Sequence, residues 1–487
     1  MLLHITSLPG GFGAGDLGPE AHHFLDWLTA AGQSCWQIMP LGPTGPGNSP
    51  YSARSSFAGS PMLISPEFLV RDGFLENSDI ESARTNWSNR VDFENVQEGH
   101  AELLRRAFER FNADGRESEI VDFEREHGWW LHEYATFRAL RDHLDCPWTD
   151  WAPGVRDAGG QAGHELQEQL AVEVRYHEFV QWLFFGQWGA LHDAALTRSI
   201  SLIGDIPIFV DFDSADVWGH RELFKLGDDG QPTVVAGVPP DAFSAIGQRW
   251  GNPVYDWRTH EAEGFAWWTR RLHHTLSLVD EVRIDHFRGF EAAWEIPPHS
   301  QTAEEGWWAP GPGEALFEAA QLRGRHERIL VEDLGIITPE VRGLRDDLGF
   351  AGMKVLQFAF SDHADNPYLA HNHVRQSVVY TGTHDNDTTA GWFATLSDWE
   401  RNRVLHYLAR DGSEIVDDLI RAAYASVART AIVPMQDVLR MGSEARMNTP
   451  GVAAGQWGWR FSWEQLPDDR TGWLGELAGI YGRLPQR

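Results

Sequence analysis

Three acidic stretches, each following an apolar run of β-forming residues, set the tightest limit on what this chain can fold into. Asp285 lies in Arg283-Ile284-Asp285-His286-Phe287-Arg288-Gly289 and follows the run Val279 to Ile284. Glu332 lies in Val331-Glu332-Asp333-Leu334-Gly335, after Ile329 to Val331. Asp385 lies in Thr383-His384-Asp385-Asn386-Asp387, after Val378 to Thr381. Acids at the ends of successive strands converge on one point only if the strands are parallel and their ends share a face. A closed barrel of alternating strands and helices does this, and its active site lies at that face.

The rest of the chain supplies the other strands. Apolar runs at Leu2 to Thr6, Cys35 to Met39, Leu202 to Val210, Met353 to Phe358 and Ala431 to Val438 raise the number to eight, with helical patterns between. The expected fold class is α/β: a (β/α)8 TIM barrel with helical and loop insertions, one catalytic unit over residues 1–487. Residues 65–175 are charged and read as a mainly helical insertion. Residues 237–253 are rich in Gly, Pro and aromatics and read as a long active-site lid loop.

Composition narrows the chemistry. A net charge of −31 excludes general affinity for nucleic acid or for an anionic membrane. Lys225 and Lys354 are the only lysines, the other basic residues being Arg. An acid-rich, Lys-poor surface suits concentrated salt, where self-repulsion is screened within a few Å, so a halophilic origin is expected. A GC-rich genome would account for the lost lysines but not for the excess acid. Cys35 and Cys146 are too few for a disulfide framework or a zinc site, and Cys35 reads as core. There is no long apolar segment, and the first residues lack the plan of a signal peptide, so a cytoplasmic protein is expected. Gly10-Gly11-Phe12-Gly13 lacks the strand-to-helix context of a phosphate-cradling loop, and no organic cofactor is implied. Asp385-Asn386-Asp387 lacks the spaced Gly and terminal Glu of a calcium loop, and no metal is expected.

Two carboxyls of unlike pKa with a third acid is the equipment for breaking a glycosidic bond. Arg283 shares a strand face with Asp285, and its fixed charge suits Asp285 to the ionised role of nucleophile. Glu332 has no basic neighbour in sequence and suits the general acid/base. Asp385, with His384, is placed to grip sugar hydroxyls and favour an oxocarbenium-like transition state. Taken singly, an Arg-x-Asp is as readily a structural ion pair; the ordered set of strand-end acids carries the catalytic reading.

The chain also resembles the 4-α-glucanotransferases called amylomaltases or disproportionating enzymes, a branch of the α-amylase superfamily. The resemblance runs from Leu3-His4-Ile5-Thr6-Ser7-Leu8-Pro9-Gly10 to Gly455-Gln456-Trp457-Gly458-Trp459-Arg460. It takes in Asn48-Ser49-Pro50-Tyr51-Ser52, Gly204-Asp205-Ile206-Pro207-Ile208, Gly237 to Asp241, Gly247-Gln248-Arg249-Trp250-Gly251-Asn252-Pro253 and all three acid motifs. It implies Asp285 as nucleophile, Glu332 as acid/base and Asp385 as transition-state stabiliser, with α-1,4-glucans and maltooligosaccharides as donor and acceptor. It also implies Tyr51 as the stacking partner of the bound sugar, Asp205, Arg283, His286 and His384 as its polar partners, and Gln248 and Trp250 on a covering loop. Alternatively, Trp250 pins its loop as a core residue and Asp205 makes a structural hydrogen bond. Ala245-Ile246 stand where the family commonly has Glu-Thr, and Ala242 where some members have Tyr, so a less polar lid is expected. Members usually carry a few residues ahead of the first strand, so a start downstream of the true one would weaken barrel closure. A hydrolase using the same acids, and a non-catalytic glucan-binding barrel, are the rival readings. Oligomeric state is not legible.

Overall fold

The computed structural model describes residues 1–157, 161–240, 244–323, 327–360, 363–452 and 454–485. Seven parallel strands form the central sheet: β1 (Cys35–Gln37), β2 (Ser201–Ile206), β5 (Glu281–Ile284), β8 (Ile329–Val331), β9 (Ala351–Val355), β10 (Ser377–Tyr380) and β11 (Thr430–Ile432), hydrogen-bonded in that order. The eighth place is filled by less than a strand. Leu2 bridges Gln37 on one edge and Pro434 on the other, both in parallel sense. Its N–H donates to the Val433 carbonyl (2.8 Å), while Leu3 N–H donates to Gln37 O (3.0 Å), so the ring closes.

The expected strand over Leu2 to Thr6 is therefore corrected to a single-residue bridge, followed by a 3₁₀ turn at Ile5–Ser7. The Ser7 hydroxyl donates to the Trp459 carbonyl (2.7 Å), drawing the chain off the sheet. Proline shortens three other runs. β2 stops at Ile206 before Pro207, β1 stops ahead of Pro40, and after β11 the chain passes Pro434 into a helical turn, Met435–Val438. Proline has no N–H to give the ladder.

Inside the ring, Leu2, Cys35, Ile203, Leu330, Ala351, Met353, Val355, Val378, Tyr380 and Ile432 fill the barrel. Outside it, helices bury apolar stripes at helical spacing. The helix Ile415–Ala425 buries Ile415, Val416, Leu419, Ile420, Ala423 and Tyr424, each large aliphatic side chain contributing about 1.5–3 kcal/mol. Between β1 and β2 the chain makes the long helices Phe93–Ala113, Val121–Leu144 and Ala171–Thr197. Phe111 and Phe179, with ring centres 4.7 Å apart, join the first of these to the last.

A second sheet was not expected. Strands β3 (Val235–Val238), β4 (Gln248–Pro253), β6 (Ala292–Ile296) and β7 (Trp307–Pro310) form an antiparallel sheet in the order β4-β3-β6-β7. The segment 237–253, read as an irregular loop, is thus bounded by paired strands that mount it on a sheet. Among the described residues, no helix is long and apolar enough to cross a membrane.

Candidate active site

The strand register brings the site together. Asp205 on β2 lies level with Arg283 on β5, and Ile284 lies level with Val331 on β8. Asp205, Arg283, Asp285 and Glu332 therefore stand at neighbouring strand tips. Arg283, only 3% exposed, donates from Nη1 to Asp205 Oδ2 (2.7 Å) and from Nη2 to Asp285 Oδ1 (2.7 Å). Tyr51 Oη also donates to Asp205 Oδ2 (2.8 Å). One guanidinium shared by two acids fixes both carboxylates. Burial nevertheless pushes Asp205 up to about 6, against the pull of Arg283.

Glu332 is held differently. Its Oε2 accepts the His286 backbone N–H (3.0 Å) and its Oε1 that of Leu334 (2.6 Å). The first of these bonds depends on His286 adopting φ +48°, a left-handed conformation rare for a side-chain-bearing residue. Burial, and then the charge of Asp285, push Glu332 up to about 8, so its protonated form prevails at neutral pH. The two carboxyls sit in different surroundings: Asp285 is ion-paired to Arg283, whereas Glu332 is desolvated beside a negative charge.

Asp385 completes the acids. Burial raises its pKa, but the charge of His384, hydrogen bonds from His384 and Asn448, and the charge of Arg283 hold it well below the usual carboxylate range. Asn448 Nδ2 donates to Asp385 Oδ1 (2.6 Å), and His384 Nε2 lies 3.4 Å from Oδ2. Arg446 Nη2 donates to the Asp385 carbonyl (2.7 Å). The Tyr51 ring stacks on His384 (5.1 Å), and Trp457 lies against both (5.7 and 5.8 Å). Two polar atoms of this pocket, Asp205 Oδ1 and His286 Nε2, are buried without a partner among the described residues. On the opposite rim, Trp250 sits edge-on to His286 (4.8 Å) and donates from Nε1 to Gln248 Oε1 (3.2 Å).

All ten residues singled out from sequence thus belong to one connected cluster. Asn448, Arg446 and Trp457 belong to it as well, and sequence reasoning gave them no role. Asp333 and Asp387 turn elsewhere: Asp333 accepts the Met353 N–H (2.7 Å), and Asp387 accepts from Thr388 N–H and the Ser443 hydroxyl. Within the segment 237–253, Ile246 is exposed, giving it an apolar edge. Asp241 and Ala242 lie outside the described residues.

The family described as 4-alpha-glucanotransferase matches residues 3–466. The 4-alpha-glucanotransferase of Thermus thermophilus is 48% identical over 497 residues, covering 99% of this chain and 98% of that protein. Its namesake from Synechocystis is 46% identical, covering 99% and 97%. Among solved structures, the amylomaltase from Streptococcus agalactiae in complex with acarbose superposes with a TM-score of 0.96 at 37% identity, covering 99% of this chain and 98% of that one.

Proposed function

The chain belongs to the 4-alpha-glucanotransferase family and is an enzyme of glucan transfer, and from that premise we propose how its residues perform the reaction. Asp285 attacks the anomeric carbon of an α-1,4-glucan while Glu332 protonates the departing glycosidic oxygen. The donor's reducing-end portion leaves, and the remainder is bound to Asp285 through an ester of inverted configuration. Glu332, now ionised, takes the proton from the 4-hydroxyl of an acceptor glucan, which displaces Asp285 and restores the α-linkage. Asp385 and His384 hold ring hydroxyls, Tyr51 stacks on the sugar, and Asp205 Oδ1 and His286 Nε2 offer the unpaired polar atoms the hydroxyls require. The observation that carries this reading is the unequal pair at adjacent strand tips: Asp285 on Arg283, and Glu332 pushed up to about 8.

Transfer competes with hydrolysis, since water is present at about 55 M and must be kept from the ester. We assign that exclusion to the lid at 237–253, with Gln248 and Trp250 covering the glucan, the helical insertion 65–175 buttressing a single catalytic unit over 1–487. Trp250→Ala is expected to raise the fraction of donor lost to water several-fold while leaving total turnover within about threefold, read as reducing ends released per glucose transferred. An unchanged ratio would return Trp250 to a merely structural role. The test of the function itself is incubation with maltotriose. Glucose and a ladder of longer maltooligosaccharides, with constant reducing ends, is the expected result. Rising reducing ends would make the protein a hydrolase, and bound but unchanged maltotriose would make it a binding protein.

The net charge of −31 with only two lysines supports an enzyme working in concentrated salt, and we assign it to the cytoplasm. Its melting temperature is expected to rise between low and molar KCl, as screening relieves the repulsion among surface acids. A flat or falling profile would contradict the salt reading.

A further inference from the structure

The stretch Leu3 to Gly10 enters none of the steps above, yet it carries buried polar side chains beneath the site. His4, 5% exposed, immediately precedes the 3₁₀ turn Ile5–Ser7, where the chain leaves the barrel. Its Nδ1 and the hydroxyl of Thr6 are buried, and neither has a partner among the described residues. An unsatisfied buried polar atom costs about 1–3 kcal/mol, and native proteins keep such atoms rare.

Each of these atoms belongs to a residue lining a small cavity walled by both polar and apolar side chains. One cavity, of about 20 Å³, is lined by His4, Thr383, His384, Gln436 and Arg446. The other, of about 10 Å³, is lined by His4, Thr6, Pro50 and Trp457. His4 is common to both; His384 borders the larger and Trp457 the smaller, and these two rings pack on each other and on Tyr51. A cavity needs roughly 10–15 Å³ and two to four polar partners to hold one water, so the larger has room for one and at most two.

We propose that His4 is a positioning residue of the sugar-binding floor, acting through water in the larger cavity that joins its Nδ1 to His384 and the Thr383–Asp387 turn. Burial and the nearby His384 push His4 down to about 3, so at neutral pH the ring is uncharged and offers one donor and one acceptor nitrogen. Water bridging is enthalpically close to a direct hydrogen bond, and it restrains the His384 ring, on which Tyr51 stacks and beside which Asp385 lies. The first turn is then held at both ends: Ser7 ties it to Trp459, and His4 ties it to the floor. The inference rests on the glycosyl-transfer reading, because its effect is read in that reaction.

The test uses the full chain with His4→Phe, which keeps a ring but loses both nitrogens, and His4→Gln, which restores a polar atom. Turnover of maltotriose, melting temperature and a high-resolution crystal structure of the wild type are measured together. His4→Phe is expected to lower kcat about tenfold with KM moving less than threefold, since sub-ångström misplacement acts on the reacting geometry more than on binding. His4→Gln is expected to recover most of kcat, and the wild-type cavity to show ordered water within hydrogen-bond distance of Nδ1. A His4→Phe protein that turns over like the wild type, a His4→Gln protein as impaired as His4→Phe, or a cavity without water density would overturn the proposal. Should His4→Phe fail to fold, the presence or absence of ordered water at Nδ1 in the wild-type cavity decides it. A wild type inactive on maltotriose would contradict the transfer reading, a failure distinct from any result on His4.

Discussion

Asp285→Asn is expected to lower glucan transfer by at least about 10⁴-fold while maltotriose affinity stays within a few-fold of the wild type. An amide has no carboxylate oxygen to form the ester, so the covalent route closes and only transition-state binding by the remaining groups is left. The amide oxygen still accepts from Arg283 Nη2, whose present bond to Asp285 is 2.7 Å. Arg283 also keeps Asp205 as a counter-charge, so the buried guanidinium is not abandoned. Circular dichroism and the melting temperature should therefore report a folded protein. The readout is the rate of ladder formation from maltotriose, with binding measured by calorimetry. Retained turnover would remove Asp285 from the nucleophile's role.

Glu332→Ala should have the second largest effect, and its size should depend on the donor. With maltotriose, the leaving oxygen needs a proton in the first step and the acceptor must lose one in the second. A loss of about 10³-fold is expected, within the range for general acid–base catalysis. With α-maltotriosyl fluoride, the leaving group needs no proton, so the first step persists and the ester accumulates. Azide, which needs no deprotonation, should then release it as the α-azide, with retained configuration. Azide attacking an Asp285 variant directly would give the β-azide, so the product's configuration separates the two roles. The wild-type pH profile has the matching sign. Glu332 is pushed up to about 8 by burial and by Asp285, so the acid form needed for the first step is lost above that point. For maltotriose, kcat/KM should fall about tenfold per pH unit above pH 8. For the fluoride donor this limb should be absent from the glycosylation step. A flat profile for maltotriose through pH 9 would contradict the assignment of Glu332.

The strand-end acids were legible because each follows a short run rich in β-branched and other apolar residues, and such a run marks a strand. Arg283 and Asp285, two residues apart, share a face by simple alternation, and the structure places both on one ion-pair network. Where the chain does its work through contacts distant in sequence, the reading failed. Leu2 closes the barrel with one residue rather than a strand, because partners at Gln37 and Pro434 satisfy it from both sides. The sheet carrying Trp250 is built from runs broken by Gly, Pro and Trp, whose pairing depends on β3 and β6 lying some 60 residues apart. Asn448 lies in the turn-rich Met447-Asn448-Thr449-Pro450-Gly451, and its bond to Asp385 spans 63 residues. Nothing local marks that asparagine, and only the fold brings it to the acid.

The covalent ester on Asp285 is the central claim, and it can be trapped. The Glu332→Ala protein, incubated with α-maltotriosyl fluoride, quenched in acid and digested with trypsin, yields the peptide Ile284-Asp285-His286-Phe287-Arg288. The account predicts that this peptide carries one maltotriosyl group, located by fragmentation on Asp285, and that added azide, but not added maltose, removes it. An unlabelled peptide with β-configured product, or the sugar on another residue, would contradict it.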